Sequence, residues 1–246
     1  MSDGTGQAPL PALVRPGEGT PIVLLHGFGG AKEQWGPLLR RLAGRTVVAF
    51  DLPGHGAAVA WPGLERPATA RDAVLASLDA FGFPRVHLVG HSRGGVIASL
   101  VALKAPERTD GLTLLAPGGY STMLNHAALH AMATADTPAS MASALADAYA
   151  PARVPSVFPL RSPQQRDALT AILSGMAGPD PQPTLDMDRI GALNLPLTMF
   201  WGTHDTVLPI EGLVDLPAGA VLHRLQGKGH MLIEEAPQEV ADHLTA

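Results

Sequence analysis

The segment VHLVGHSRGG, residues 86–95, predicts a strand, a sharp turn and a helix in immediate succession. Its first residues form an apolar run typical of a buried strand, and residues 95–104 have the small, apolar composition of a closely packed helix. Between them, GHSRG matches the pattern Gly-x-Ser-x-Gly. Such a turn strains the serine backbone and exposes its Oγ above the sheet. We therefore predict that Ser92 is a nucleophile, the alternative being an idle serine in a structural turn.

Short apolar runs alternate with helical stretches elsewhere in the chain, which predicts a mostly parallel sheet with helices on both faces. The expected buried strands lie at residues 22–25, 46–50, 86–89, 112–115, 197–201 and 221–225, with a weak strand near 12–15. In such a sheet the ligand site assembles at the carboxyl ends of the strands. The residues that follow each strand are therefore the first candidates for chemistry.

The alternation stops between Leu115 and Leu197, where only helical patterns appear. A helical insertion between two strands of a sheet is typical of a lid over an active site. We predict a helical cap over residues 118–190, inserted after the sixth strand. The core would then consist of residues 1–117 and 191–246.

The chain resembles the α/β-hydrolase superfamily over nearly its full length. The motifs that carry the resemblance are LLHGFGG (24–30), DLPGHG (51–56), GHSRGG (90–95), WGTHD (201–205) and GKGH (227–230). The resemblance implies an α/β-hydrolase fold in which the nucleophile, an acid and a histidine follow one another along the chain. The sequence departs from the family at its start, because the first of the two antiparallel strands that usually precede LLHG is missing or short.

A serine hydroxyl needs an adjacent base, and histidine has a suitable pKa. Ten histidines are present. Position favours His230, because it follows the last strand within a glycine-rich segment that would let its ring reach across the sheet edge. His204 is the next candidate. We expect structural roles for the others near the motifs: His91 pointing away into packing, and His26 and His55 bracing loops.

Asp205 is the best-placed acid, since it follows a late strand and precedes His230. It would accept the Nδ1–H of His230, fix the tautomer and stabilise the imidazolium ion. Some members of the fold place this acid one strand earlier, but residues 111–135 contain no carboxylate. We interpret Glu211 and Asp215 as solvated loop charges.

Acyl chemistry also requires donors for the oxyanion that develops in the transition state. We expect these donors to be two backbone N–H groups. One belongs to Arg93, directly after Ser92, and the other belongs to Phe28, which follows His26 and Gly27. The side chains of both residues would remain free for other roles. For Arg93 we expect a surface ion pair, with a substrate carboxylate as the alternative partner.

Composition excludes several other classes of protein. Seventeen basic and 22 acidic side chains give a net charge of −5, which offers no field for gathering nucleic acid. The chain has no cysteine, no metal-ligand spacing and no phosphate-binding loop. It shows neither a signal-peptide pattern nor an apolar run long enough to cross a membrane. We expect a cytoplasmic protein with a small-molecule substrate, no cofactor, no metal, and no nucleic-acid or membrane partner; the oligomeric state is left open.

Several reactions fit a serine nucleophile. The leading interpretation is hydrolysis of a carboxylic ester or lactone. LTLLAPGG (112–119) is similar to the ring-cleavage-product hydrolases, which cleave a carbon–carbon bond of a vinylogous diketone, but that group tends to have Asn and Trp where this chain has His91 and Met231. Perhydrolysis or acyl transfer would use the same residues. A non-catalytic binding protein of the same fold is the alternative from another class.

The cap is expected to line an apolar pocket. Its apolar side chains recur at helical spacing with few charges between them: Met123, Leu124, Leu129, Met132, Met141, Leu145, Leu169, Ile172, Leu173 and Met176. Unbranched methionine adapts to irregular contents. We therefore expect small, neutral, apolar substrates, unless Arg153, Arg161 or Arg166 points inward.

Overall fold

The computed structural model describes residues 8–64, 66–146, 148–150, 160–176 and 183–245. Within them one sheet has seven strands in the order β1-β3-β2-β4-β5-β6-β7. The strands are β1 Ala12–Arg15, β2 Glu18–Leu25, β3 Arg45–Phe50, β4 Val86–His91, β5 Thr109–Leu115, β6 Leu197–Gly202 and β7 Val221–Leu225. Neighbours pair in parallel except for β1 and β3, which are antiparallel. The predicted α/β-hydrolase fold, with a mostly parallel sheet, is confirmed.

The helices cover both faces of the sheet. They are α1 Gly36–Leu39, α2 Pro67–Ala80, α3 Arg93–Lys104, α4 His126–Thr134, α5 Pro138–Ala146, α6 Pro163–Met176, α7 Met187–Gly191, α8 Leu232–Glu235 and α9 Pro237–Thr245. Alternate residues of a strand point to opposite faces. In β2, Val23 and Leu25 join the cluster that packs under α2 and α3, whereas Ile22 and Leu24 join the cluster under α1, α8 and α9.

Three details of the sheet differ from the sequence prediction. Five strands precede the insertion instead of six, because β1 is the one strand before β2 among the described residues. β2 begins at Glu18, ahead of the apolar run, where its exposed residues extend the sheet edge. β7 is not a buried strand: Val221 is 52% exposed, because β7 lies at the edge of the sheet and has one neighbour.

The inserted segment forms a helical layer that packs largely on itself. Side chains of α4, α5 and α6 share one apolar cluster, which reaches the core through Val207 and Met231. Helix α6 begins with a reciprocal capping box, in which the N–H of Gln165 donates to Ser162 Oγ and the N–H of Ser162 donates to Gln165 Oε1. Helix α7 packs on the core, where Ile190 is buried.

The predicted orientation of Arg153 lies outside the described residues. No helix in the described part of the chain is long and apolar enough to span a membrane.

Candidate active site

Ser92 occupies a strained turn between β4 and α3. Its φ of 52° and ψ of −118° lie outside the regions that residues with a Cβ normally adopt. Hydrogen bonds hold this conformation, because its N–H donates to Leu115 O at 2.9 Å and its carbonyl accepts from the N–H of Gly118 at 3.0 Å. A Cβ on Gly94 would lie 2.1 Å from Leu25 O, so the close approach of helix and sheet requires glycine there. The turn fixes the serine at the carboxyl edge of the sheet.

Asp205 and His230 form a buried, hydrogen-bonded pair. Asp205 Oδ2 lies 2.8 Å from His230 Nδ1. The other carboxylate oxygen, Oδ1, accepts from the N–H groups of Val207 at 2.9 Å and Leu208 at 2.8 Å. With Nδ1–H directed at the carboxylate, Nε2 is the nitrogen of His230 that can accept a proton. Asp205 is thus held by its own loop while it fixes the imidazole ring.

Ser92 and His230 line the same cavity. Among the described residues no hydrogen bond joins Ser92 Oγ to the imidazole, and such bonds are often long until a substrate binds. The loop that carries His230 lies against the end of β6, since a Cβ on Gly202 would meet the carbonyl oxygens of Lys228 and Gly229 at 2.3 Å. The sheet edge therefore brings together the three residues that the sequence selected.

His91 does not point away from the site, so that prediction is wrong. Its ring centroid lies 4.9 Å from that of His230, and its Nε2–H donates to the carbonyl of His230 at 2.9 Å. Burial lowers the pKa of His91 to about 3, so its ring is neutral. Gly27 makes room for it, because a Cβ there would lie 2.8 Å from His91 Nδ1. A histidine directly before Ser92 was the sequence signal for this contact.

Two further histidines brace the glycine-rich loop after β2, as predicted. His26 Nδ1–H donates to Gly27 O at 2.8 Å, and His26 Nε2 accepts from the N–H of Leu52. His55 Nε2 accepts from the N–H of Gly29 at 3.1 Å. Burial lowers the pKa of both histidines, that of His26 to about 4. Both rings are therefore neutral, and their hydrogen bonds connect the loop after β2 to the loop after β3.

The backbone N–H groups of Phe28 and Arg93 have no acceptor among the described residues. Phe28 lies in the loop that His26 and His55 brace, and Arg93 is the first residue of α3, directly after Ser92. The first N–H groups of a helix have no partner within it. Both groups are consequently available for an oxyanion.

The side chain of Arg93 is buried, so the predicted surface ion pair is wrong. The residue is 5% exposed, and its guanidinium forms no hydrogen bond or ion pair within the described part of the chain. Burial lowers the pKa of Arg93 to about 10, which leaves it a cation at neutral pH. It lies beneath the cap, and the cap's position could not be inferred from local pattern.

Two cavities meet at the serine. The first has a volume of about 360 Å³ and the second of about 290 Å³, and Phe28, Ser92 and Leu129 line both. The first is lined by His91, His230 and apolar cap residues of the predicted set: Met132, Met141 and Leu145. The second is lined by Arg93 and mostly apolar neighbours.

Arg161 points inward and joins the cap to the glycine-rich loop after β2. Its Nη2 donates to Gly29 O at 3.1 Å, and its Nη1 donates to Met132 O. Arg166 instead donates to the carbonyl of Arg161. Across the described residues, no three His, Asp or Glu side chains converge in a way that could hold a metal ion.

A model of the alpha/beta hydrolase family matches residues 22–243. The dihydrolipoyllysine-residue acetyltransferase component of the acetoin cleaving system of Cupriavidus necator is 31% identical over 228 residues, which are 88% of this chain and 60% of that protein. The chain thus spans less than two thirds of that relative's length. The 2-hydroxy-6-oxo-6-phenylhexa-2,4-dienoate hydrolase of Burkholderia cepacia is 36% identical over 115 residues, 44% of this chain and 40% of that protein.

Among solved structures, the 2-hydroxy-6-oxo-6-phenylhexa-2,4-dienoate hydrolase of Rhodococcus sp. strain RHA1 superposes with a TM-score of 0.80. The match covers 95% of this chain and 92% of that one, with 23% identical residues. At this identity the likeness is one of fold.

Proposed function

The chain belongs to the alpha/beta hydrolase family, as its motifs predicted, and we therefore propose that it hydrolyses a small, largely apolar carboxylic ester or lactone. Ser92 forms the acyl-enzyme, His230 is the general base, and Asp205 orients His230. The backbone N–H groups of Phe28 and Arg93 form the oxyanion hole. The family and the Burkholderia relative support hydrolase activity.

The observation that carries the proposal is the 2.8 Å hydrogen bond between Asp205 and His230. Ser92, in its strained turn, lines the same cavity as His230. His230 Nε2 takes the proton of Ser92 Oγ as the oxygen attacks the substrate carbonyl, and Asp205 stabilises the resulting imidazolium ion. The imidazolium then protonates the leaving oxygen as the C–O bond breaks. Water, deprotonated by His230, releases the acid in a second step of the same kind.

Cavity size and lining support a small substrate. Volumes of about 360 and 290 Å³ lie at the lower end of the usual range for small-molecule sites, roughly 300–1,000 Å³. Cap side chains such as Met132, Met141 and Leu145 supply an apolar wall on one side of Ser92. An acyl or alcohol group of modest length fits each side.

Two alternatives share this machinery. Carbon–carbon bond hydrolysis has the support of the Burkholderia relative's name, but His91 and Met231 replace the Asn and Trp of that group. Acyl transfer has the support of the Cupriavidus relative, whose name is that of an acetyltransferase component. An added thiol or alcohol acceptor distinguishes transfer from hydrolysis, because transfer yields the acylated acceptor in place of the free acid.

The test combines fluorophosphonate labelling with a panel of esters, lactones and a vinylogous diketone. We expect wild-type protein to label at Ser92 and to hydrolyse esters or lactones. Ser92→Ala should fold normally, escape labelling and lose activity by about 10³-fold or more. Ser143→Ala, which alters an exposed serine of α5, is the matched control and should behave as wild type. Normal turnover by Ser92→Ala would contradict the proposal.

A further inference from the structure

Arg93 is a buried cation without a counter-ion. Its side chain forms no hydrogen bond within the described residues, although the residue is only 5% exposed. Burial is what shifts its pKa, with no acidic neighbour acting in the other direction. The nearby rings of His26 and His55 are neutral, since burial and the positive charge of Arg93 lower their pKa values. A buried charge is costly unless it is paired.

Arg93 lines the second cavity, which Ser92 also lines. Most of the other walls are apolar, among them Val96, Leu185 and Leu208. An apolar cavity with one unpaired cation favours a ligand that is apolar along its length and anionic at one end. A planar carboxylate matches the fork of donors that a guanidinium presents.

The position of His230 decides which part of a substrate enters which cavity. His230 lines the first cavity and not the second. Because it must protonate the leaving oxygen, the leaving group occupies the first cavity and the acyl group extends into the second. Arg161 and Glu234 also line the first cavity. The guanidinium of Arg161 already donates to Gly29 O and Met132 O, whereas an anionic group there would meet the carboxylate of Glu234. The anionic end of a substrate therefore belongs on the acyl side.

We propose that the second cavity is an anion-binding acyl subsite, in which the Arg93 side chain pairs with a carboxylate at the far end of the acyl group. The substrate class is then a half-ester of a short dicarboxylic acid, or a lactone whose acyl part carries a carboxylate. This inference rests on the proposed function and refines it. It adopts the substrate carboxylate that the sequence left as the alternative partner of Arg93, and it replaces the expectation of a neutral substrate.

The test compares two phenyl esters of matched shape: the glutarate half-ester, which ends in a carboxylate, and the 5-methylhexanoate ester, which ends in an isopropyl group. Wild-type protein should show the higher kcat/KM for the half-ester. In Arg93→Met the ratio of the two kcat/KM values should fall by about 10- to 150-fold, the range for a hydrogen bond to a charged group. The loss should appear mainly in KM for the half-ester, and Arg93→Lys should restore part of it.

A measurement on wild-type protein keeps the inference testable if Arg93 variants do not fold. Glutaramate and 5-methylhexanamide are uncleaved analogues of the two esters. Glutaramate should protect Ser92 from fluorophosphonate at the lower concentration. Equal protection, or an unchanged kcat/KM ratio in Arg93→Met, overturns the anion subsite while Ser92-dependent hydrolysis stands. Absence of labelling and of turnover in wild-type protein overturns the proposed function and the subsite together.

Discussion

The carboxyl edge of the sheet and the cap above it are held by different kinds of interaction. At the edge, hydrogen bonds with the backbone hold two of the candidate residues, as between the N–H of Ser92 and Leu115 O or between Asp205 Oδ1 and the N–H of Val207. The cap is joined to that edge by a few long side chains and loop contacts, among them Arg161 to Gly29 O. The residues of the proposed reaction thus lie at the edge, and the cap supplies part of the walls of the cavity beside them.

The largest effect is expected when the edge loses its acid. Asp205→Asn keeps the shape of the side chain but presents an amide to His230 Nδ1, which favours the wrong tautomer. We expect kcat to fall by about 10⁴-fold with the fold retained, in line with the same change in other serine triads. Steady-state kinetics and circular dichroism measure the two quantities. Asp215→Asn is the control, and a comparable loss there would show that Asp205 is not the orienting acid.

Acid should destabilise the edge through its buried histidines. Burial lowers the pKa of His26 to about 4 and of His91 to about 3, against 6.5 for an unperturbed histidine. Below pH 6.5 these two histidines become protonated in the unfolded chain but stay neutral in the folded protein. The free energy of unfolding therefore falls as the pH drops toward 4. Between pH 7 and 5 each histidine should account for about 2 kcal/mol.

Urea unfolding at both pH values measures this loss. His26→Asn should reduce the difference between pH 7 and pH 5 by its share, because the variant has lost a group that protonates on unfolding. His130→Asn, on the exposed side of α4, is the matched cap control. An equal pH dependence in wild type and His26→Asn would show that His26 does not stay neutral in the folded protein.

Arg161→Met tests whether the cap positions the glycine-rich loop after β2. The variant removes the bonds to Gly29 O and Met132 O but keeps much of the apolar stem. We expect kcat to fall about tenfold, since a small displacement of Phe28 N–H weakens transition-state binding. Arg189→Met, an exposed site on α7, should leave kcat unchanged. A change in KM alone would mean that Arg161 contacts substrate without supporting the loop.

The same contrast explains which features the sequence could predict. Ser92, Asp205 and His230 follow strands within short glycine-containing motifs, so local pattern located them. The burial of Arg93 depends on neighbours from several parts of the chain, and the contact between His91 and His230 joins residues far apart in the chain. β7 reads VLHRL, with two polar residues among five, and its exposure follows from its place at the sheet edge. Such long-range properties are not encoded in any single window of sequence.

The smallest expected effect concerns the two tyrosines of the chain. Tyr149 packs in the apolar cluster of the cap and Tyr120 in that of the core. Tyr149, between α5 and α6 of the cap, donates to Glu234 Oε2 at 2.9 Å, whereas Tyr120, which follows β5, bonds Ser99 Oγ at 2.8 Å. Each Tyr→Phe change should lower the free energy of unfolding by about 0.5–1.5 kcal/mol. The two losses should respond differently to pH, because the partner of Tyr149 carries a charge.

Burial raises the pKa of Glu234, and the hydrogen bond from Tyr149 acts in the opposite direction by favouring the carboxylate. Protonation of Glu234 therefore weakens the advantage of that bond. The cost of Tyr149→Phe should be largest at neutral pH and shrink as the pH falls through the pKa of Glu234. The cost of Tyr120→Phe should stay constant over the same range, since Ser99 does not titrate. Urea unfolding of wild type and both variants from pH 7 to 4 measures these costs, and a pH-independent cost for Tyr149→Phe would mean that Glu234 is not its stabilising partner.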